Sequence, residues 1–266
     1  MTRAYFVSDV HLVAEDDARG RLFLDLLRRI DEDEVATHVF LLGDIFDLWL
    51  ADHDYFLERF PAVVAALEKL QARGLELHYF EGNHDLHLER FWGRRLGMRV
   101  HPGPVHTELA GRRVRLEHGD QMDPDDRGYL FLRWFLRTPP IRFLLLHLPG
   151  SLIARIGERA SAHSRDYTSN RKTISPSGAA SKIRAHAAQA HAERPFDLIL
   201  SGHVHVRDDH RFETAGGEAR SVNLGSWFDR PCAFLLDERG GRFIELEPGD
   251  VAECAAPAPA DTEHPA

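Results

Sequence analysis

The sequence predicts an α/β fold, and three observations carry that expectation. The first half alternates short apolar runs with stretches whose apolar residues recur with a period of about 3.6, the pattern of strands alternating with amphipathic helices. Five of the apolar runs end in clusters of aspartate, histidine, asparagine and glycine. Between residues 123 and 175 the alternation stops, and it resumes afterwards.

A strand is predicted over 4–10, followed by a helix over 19–30 in which Leu22, Leu26, Leu27 and Ile30 share a face. The second strand covers 38–42. A second helix covers 54–73 and is stopped by Gly74, in the position that favours a left-handed cap. The third strand covers 75–80, and 105–116 reads as a hairpin turning at Ala110 and Gly111. The stretch 123–175 is strongly apolar and aromatic but is broken by Arg133, Arg137, Pro139, Pro140 and Arg142. No run in it reaches the roughly 20 residues a membrane-spanning helix needs, so a surface-lying helical cap inserted into the core is expected. A helix over 177–194, a strand over 197–200 and strands over 211–247 with turns at Gly216, Gly217, Gly240 and Gly241 complete the core. The expected domains are therefore a core of 1–122 and 176–250, a helical cap of 123–175, and a disordered Ala/Pro-rich tail of 251–266.

With 266 residues the chain can bury a core without covalent staples. Its two cysteines, Cys232 and Cys254, have no paired or metal-ligand spacing, which fits a reducing compartment. The N-terminus runs directly into the first strand pattern without a secretory leader, so a cytoplasmic location is expected. A formal charge of −9 argues against nucleic acid as a partner. Seventeen histidines point instead to metal chemistry.

The five strand-end clusters are SDVH (Asp9, His11), GDIFD (Asp44, Asp47), GNHD (Asn83, His84, Asp85), EHGD (His118, Asp120) and SGHVH (His203, His205). Any one of them is common by chance, but five in succession after apolar runs is more than a packed core requires. In an open α/β sheet the carboxyl ends of strands converge on one crevice, so residues distant in sequence can meet there. Carboxylate, imidazole and amide oxygen without thiolate suit manganese, iron or zinc better than a structural zinc site. Two ions need a shared ligand, for which Asp44 is the central candidate. Glycines 43, 82, 119 and 202 would let the backbone bend closely around such a centre.

In this order the clusters resemble the calcineurin-like metallophosphoesterase superfamily, with its pattern D-x-H, G-D-x-x-[DE], G-N-H-[DE], a His after a strand, and G-H-x-H. The resemblance implies a two-sheet sandwich flanked by helices and two divalent metals, with manganese the first choice. By position, Asp9, His11, Asp44 and His205 would hold one ion, and Asp44, Asn83, His118 and His203 the other. A narrower resemblance is to the UDP-2,3-diacylglucosamine diphosphatases of lipid A synthesis, carried by GDIFDLW, HGD followed by DPDDRGY, the apolar cap, SRDYTSNRKTIS and NLGSW. It implies substrate contacts at Asn83, His84, Asp126, Ser164, Thr168, Arg171 and His203. Position 84 is usually Arg in that group and position 168 usually Asn, so a phosphodiesterase or phosphatase acting on a soluble nucleotide or nucleotide sugar is the alternative.

Two metals about 3.5 to 4 Å apart would activate water for in-line attack and clamp the phosphoryl oxygens. His84, held by Asp85, is expected to neutralise or protonate the leaving oxygen as the catalytic pair. Asp47 and Asp120 would orient ligand imidazoles or neighbouring loops. Leu130, Phe131, Trp134, Phe135, Phe143, Leu144 and Leu145 would offer apolar surface to acyl chains, and Arg165, Arg171 and Lys172 would meet the diphosphate of a nucleotide-linked glycolipid. The products would be UMP and an acylated glucosamine 1-phosphate, released at the cytoplasmic face of the inner membrane by a peripherally bound enzyme.

Overall fold

Along β1 (Arg3–Val7) successive side chains alternate between two apolar environments, Ala4 and Phe6 on one side and Tyr5 and Val7 on the other. The same alternation runs through β2 (His38–Leu41) and β4 (Glu76–Phe80), where Phe40 and Phe80 share the first environment and Val39, Leu41, Leu77 and Tyr79 the second. A sheet buried on both faces explains why these strands read as continuous apolar runs. The computed structural model describes residues 1–51, 53–155 and 176–247. Ser164, Thr168 and Arg171, with Arg165, Lys172 and the C-terminal tail, lie outside them.

The central sheet has the order β13-β12-β1-β2-β4-β6, with β6 at Arg99–His101, β12 at Cys232–Asp237 and β13 at Gly240–Glu245. Strands β1, β2, β4 and β6 are mutually parallel, and β12 and β13 close the edge antiparallel. A second sheet has the order β10-β11-β9-β8-β7, from β7 (Val105–Leu109), β8 (Arg112–Leu116), β9 (Leu198–Ser201), β10 (Asp208–Thr214) and β11 (Gly217–Asn223). Within it β8, β9 and β11 run parallel. The sheets pack face to face through Phe6, Phe40, Phe80, Val114, Leu116, Leu200, Val222 and Phe234, each large apolar side chain contributing about 1.5–3 kcal/mol by burial. Helices α1 (Ala18–Glu32) and α3 (Pro61–Ala72) cover the outer face of the central sheet with Leu22, Leu26, Leu27, Ile30, Val63, Leu67 and Leu70. Ala187 and Ala190 of α6 (Pro176–Glu193) pack on Phe196 and Ile199 beside the second sheet. The expected two-sheet sandwich flanked by helices is thus observed.

Two expectations are corrected. The predicted helix 54–73 is two helices, α2 (Asp54–Leu57) and α3, because Pro61 occupies the first turn of α3 and Phe60 before it leaves helical geometry at φ −131°, ψ 49°. The first strand ends at Val7 rather than at residue 10, because Asp9 and His11 adopt positive φ and take the chain out of the pleat. A two-stranded parallel pairing of β3 (Trp49–Leu50) with β5 (Asp85–Leu86), and the short β6, were not anticipated. The hairpin β7–β8 turns at Ala110 and Gly111, with φ of 49° and 69°. Within the stretch expected to be a cap, α4 (Arg127–Leu136) and α5 (Pro139–His147) carry no buried residue. They are tied down by polar contacts: His53 Nε2 donates to the Leu145 carbonyl (2.8 Å), His87 Nε2 to the Leu136 carbonyl (3.1 Å) and Arg133 Nε to Asp120 (2.6 Å).

Candidate metal centre

The carboxyl ends of β1, β2, β4, β8 and β9 meet at one edge of the sandwich, and the chain leaves several of them by an abrupt reversal. Asp9, His11, Asp44, His203 and His205 have φ of 51°, 50°, 53°, 68° and 60°. Left-handed backbone costs a residue with a side chain on the order of 1–3 kcal/mol, and it persists only where neighbours enforce it. Here they do. Asp9 N–H donates to the Gly43 carbonyl (3.2 Å), His11 N–H to the Asp44 carbonyl (3.0 Å), and His203 N–H to Asp9 Oδ2 (2.9 Å). Of the eight non-glycine residues with positive φ among those described, five are candidate ligands, so strain concentrates where function was expected.

Two glycines are required by close approach. A Cβ on Gly82 would collide with Asp44 Oδ1 and lie 2.7 Å from Asp85 Oδ1, and one on Gly202 would collide with Ser8 Oγ and Asp9 Oδ2. Both loops could therefore not press against the aspartates with any larger residue.

Ligand atoms converge in overlapping sets. Asp9, His11 and His205 form one, Asp44, His118 and His203 another, and Asp44 also groups with His11 and His84. His205 Nε2 lies 3.3 Å from Asp9 Oδ1 and 3.1 Å from His11 Nε2. Asp44 Oδ2 stands between the sets, 3.9 Å from His11 Nε2 and 3.5 Å from His118 Nε2. Asn83 Oδ1 completes the second set, 2.9 Å from His203 Nδ1 and 3.2 Å from His118 Nε2. All seven residues expected to bind metal thus meet at one place.

The calcineurin-like phosphoesterase family model matches residues 2–207. The chain belongs to that family. Among curated proteins it is similar to the UDP-2,3-diacylglucosamine hydrolase of Aeromonas salmonicida (strain A449), 30% identical over 85% of this chain and 86% of that one. Proteins of the same name from Enterobacter sp. (strain 638) and Pseudomonas entomophila (strain L48) are each 29% identical over 91% of this chain and 98% of theirs. Membership in the calcineurin-like phosphoesterases implies divalent metal ions, and the donor atoms provide an independent test of fit.

His118 Nδ1 donates to the Leu42 carbonyl (2.8 Å), so its Nε2 is the nitrogen directed at Asp44 and Asn83. Burial opposes charge on His118, yet Asp44 beside it, and then Asp9, hold its pKa well above the usual histidine range. The extra proton stands among acceptors where a cation would stand. Burial works against ionisation of Asp44 as well, but His118 and His84 keep its carboxyl well below the usual carboxylate range. Burial pushes His11 down to about 4, and burial followed by the charge on His118 does the same to His203. Metal binding demands ionised carboxylate with neutral imidazole; His11 and His203 meet that state as they stand, whereas His118 and His205, raised against burial by Asp44 and Asp9, would give up a proton to the incoming ion. His11 directs Nε2 at Asp44 and His205 while its Nδ1 lies 4.0 Å from Asp47 Oδ1, and no cysteine among the described residues joins the sets. The residues fit a divalent pair.

The expectation that Asp85 holds His84 is corrected. His84 Nδ1 donates to the Asp47 carbonyl (2.7 Å), which leaves Nε2 outermost, and His84 N–H donates to Asp44 Oδ1 (2.9 Å). Asp85 is fully buried and spends both oxygens elsewhere: Oδ1 accepts from Asp44 N–H (3.0 Å) and Gly82 N–H (2.7 Å), Oδ2 from Ile45 N–H (3.0 Å) and Tyr79 O–H (2.8 Å). It is a positioning residue that joins the β2 and β4 loops. Asp120 likewise holds α4, accepting from Tyr129 O–H and Arg133 Nε at 2.6 Å each. Asp126 is exposed and caps α4 by accepting from Tyr129 N–H (3.1 Å); it stands outside the convergent sets. Sequence reasoning missed Ser8, whose hydroxyl donates to Asp9 Oδ2, and Phe228, whose ring lies 5.3 Å from that of His11. The NLGSW segment immediately before Phe228 was the available signal.

Proposed function

We propose that this enzyme hydrolyses the diphosphate of UDP-2,3-diacylglucosamine to UMP and 2,3-diacylglucosamine 1-phosphate in lipid A biosynthesis, using two manganese ions. The observation that carries the reading is a pair of ligand sets sharing Asp44 beside an exposed apolar helical hairpin. The near full-length similarity to proteins named for that substrate supports it. Bound divalent ions would supply Lewis acidity toward the phosphoryl oxygens and a water acidic enough to attack phosphorus. Asp9, His11, Asp44 and His205 would bind one ion, and Asp44, Asn83, His118 and His203 the other. His84, with Nδ1 committed to a backbone carbonyl, would present Nε2 to the substrate and carry a proton toward the leaving oxygen. On this reading Asn83, His84, Asp126 and His203, together with Ser164, Thr168 and Arg171, contact substrate.

The hairpin α4–α5 exposes Phe131 (62%), Trp134 (61%) and Phe143 (64%), an unusual concentration of large apolar surface. Acyl chains and the surface of an anionic bilayer are its natural partners, and α4 and α5 also carry the exposed Arg127 and Arg142. The proposed location is peripheral, at the cytoplasmic face of the inner membrane; among the described residues no helix is long and apolar enough to cross a membrane. Replacing Trp134 and Phe143 together by Glu is expected to reduce co-sedimentation with phosphatidylglycerol vesicles about tenfold or more, since each buried aromatic is worth about 1.5–3 kcal/mol. Thermal stability should barely change, because both side chains are already exposed. Unaltered vesicle binding would remove the hairpin from the membrane contact.

His84, where the diphosphatase group usually has Arg, favours one second reading, a phosphodiesterase for soluble nucleotides or nucleotide sugars. The deciding experiment offers manganese-loaded protein UDP-2,3-diacylglucosamine, UDP-sugars and bis(p-nitrophenyl) phosphate side by side and follows UMP or nitrophenol. Preferred release of UMP from the acylated substrate is expected. Turnover of the soluble compounds alone would transfer the assignment to the second reading.

A further inference from the structure

We propose that Arg19, carried on the ring of Phe228, binds the nucleotide half of the substrate on the flank of the metal centre away from the helical hairpin. The proposal rests on the diphosphate reading above. Phe228 follows β11 in a loop that is fastened at its neighbour: Trp227 N–H donates to the Asp9 carbonyl (3.2 Å), Trp227 Nε1 to the Cys232 carbonyl (3.1 Å), and the indole is buried against Phe23 of α1 (5.9 Å between centroids). The next residue is nevertheless 54% exposed, with its ring 5.3 Å from His11 and 6.2 Å from His205. A large aromatic is therefore held at the rim of the site rather than in the core.

Arg19, in the first turn of α1, places its guanidinium carbon 4.3 Å from the centre of that ring and donates through Nη1 to the Val10 carbonyl (3.1 Å). Among the described residues Arg19 forms no ion pair with a carboxylate. Arg133 and Arg137 on the hairpin flank differ, each being paired, with Asp120 and Glu81. A cation whose charge is uncompensated, beside a site for anionic substrate, is suited to contact that substrate. Contact with the Phe228 ring and with the Val10 carbonyl restrains the guanidinium, so its planar fork meets phosphoryl oxygens with little further ordering.

The two flanks are chemically distinct. Tyr129 of the hairpin has its ring 6.0 Å from His203, next to the Asp44–His118–His203 set, whereas Phe228 adjoins the Asp9–His11–His205 set. A diphosphate ester lying across the centre would direct its acylated sugar along the apolar hairpin and its nucleotide toward Arg19.

The test is calorimetric titration of manganese-loaded protein with UMP and, separately, with micellar 2,3-diacylglucosamine 1-phosphate. Arg19→Ala should weaken UMP binding about tenfold or more, as loss of a charge-assisted contact does, and lipid-product binding by less than about threefold. Phe228→Ala should weaken UMP through loss of the platform, and the double variant should be no worse than Arg19→Ala, because both act through one guanidinium. Arg19→Lys, which keeps the charge without the planar fork, should fall between. Wild-type affinity for UMP in Arg19→Ala, or equal weakening toward both ligands, overturns the proposal. Protein that binds UMP through Arg19 but neither binds the lipid product nor hydrolyses the acylated substrate would overturn the lipid reading alone.

Discussion

Asp44→Ala is expected to reduce bound manganese from two ions per chain to at most one and to lower kcat/KM by at least about 10³, equivalent to roughly 4 kcal/mol of transition-state stabilisation. The expectation follows from position. Asp44 Oδ2 faces His118 Nε2 at 3.5 Å and His11 Nε2 at 3.9 Å, one from each ligand set, while Oδ1 accepts from His84 N–H at 2.9 Å. On the proposed assignment, truncation would take a ligand from both ions at once and also release the backbone that carries His84. Asp44→Asn separates these roles, since an amide oxygen can still accept from His84 N–H but the negative charge between the two ions is gone. The Asn variant should keep the backbone contact to His84 and still lose an ion. Metal analysis of the dialysed proteins, set beside the hydrolysis rate, decides the matter. Two ions retained with activity within about tenfold of wild type would exclude Asp44 as the shared ligand.

Much of the centre was readable in the chain because its parts are local. Each motif follows a strand whose apolar alternation marks where the pleat ends, and parallel strands deliver their carboxyl ends to one edge, so Asp9, Asp44, Asn83, His118 and His203 could be brought together without coordinates. What escaped depends on partners that carry no residue signature. His84 is fixed by the carbonyl of Asp47, and every residue has a carbonyl. The β3–β5 pair exists because Trp49 N–H reaches the His84 carbonyl (2.8 Å), a contact set by the approach of two loops rather than by strand propensity. The break before Pro61 is visible as a proline, yet apolar residues continue on both sides of it and mask the interruption. Phe228 looks like an ordinary loop aromatic until Trp227 is seen clamped to the Asp9 carbonyl.

Asp85 illustrates the same limit with a measurable consequence. Written as part of GNHD it invites a catalytic role, but its two oxygens gather four donors from three segments, Tyr79, Gly82 and the pair Asp44 and Ile45. Asp85→Ala leaves three backbone N–H groups and a tyrosine hydroxyl inside the protein without an acceptor. An orphaned buried donor costs about 1–3 kcal/mol, and partial rescue by entering water keeps the total near 4 kcal/mol rather than the full sum. For a domain of this size that corresponds to a fall in Tm of roughly 8–16 °C. Asp85→Asn keeps one acceptor oxygen, enough for either the Asp44 and Gly82 pair or the Ile45 and Tyr79 pair, and should lose about half as much. Activity should follow stability and metal content in both variants, because Asp85 acts by holding the Asp44 loop. The discriminating measurement is therefore a thermal melt of metal-free protein beside the rate of metal-loaded protein. A Tm within about 2 °C of wild type with hydrolysis lost would instead return Asp85 to the reacting groups.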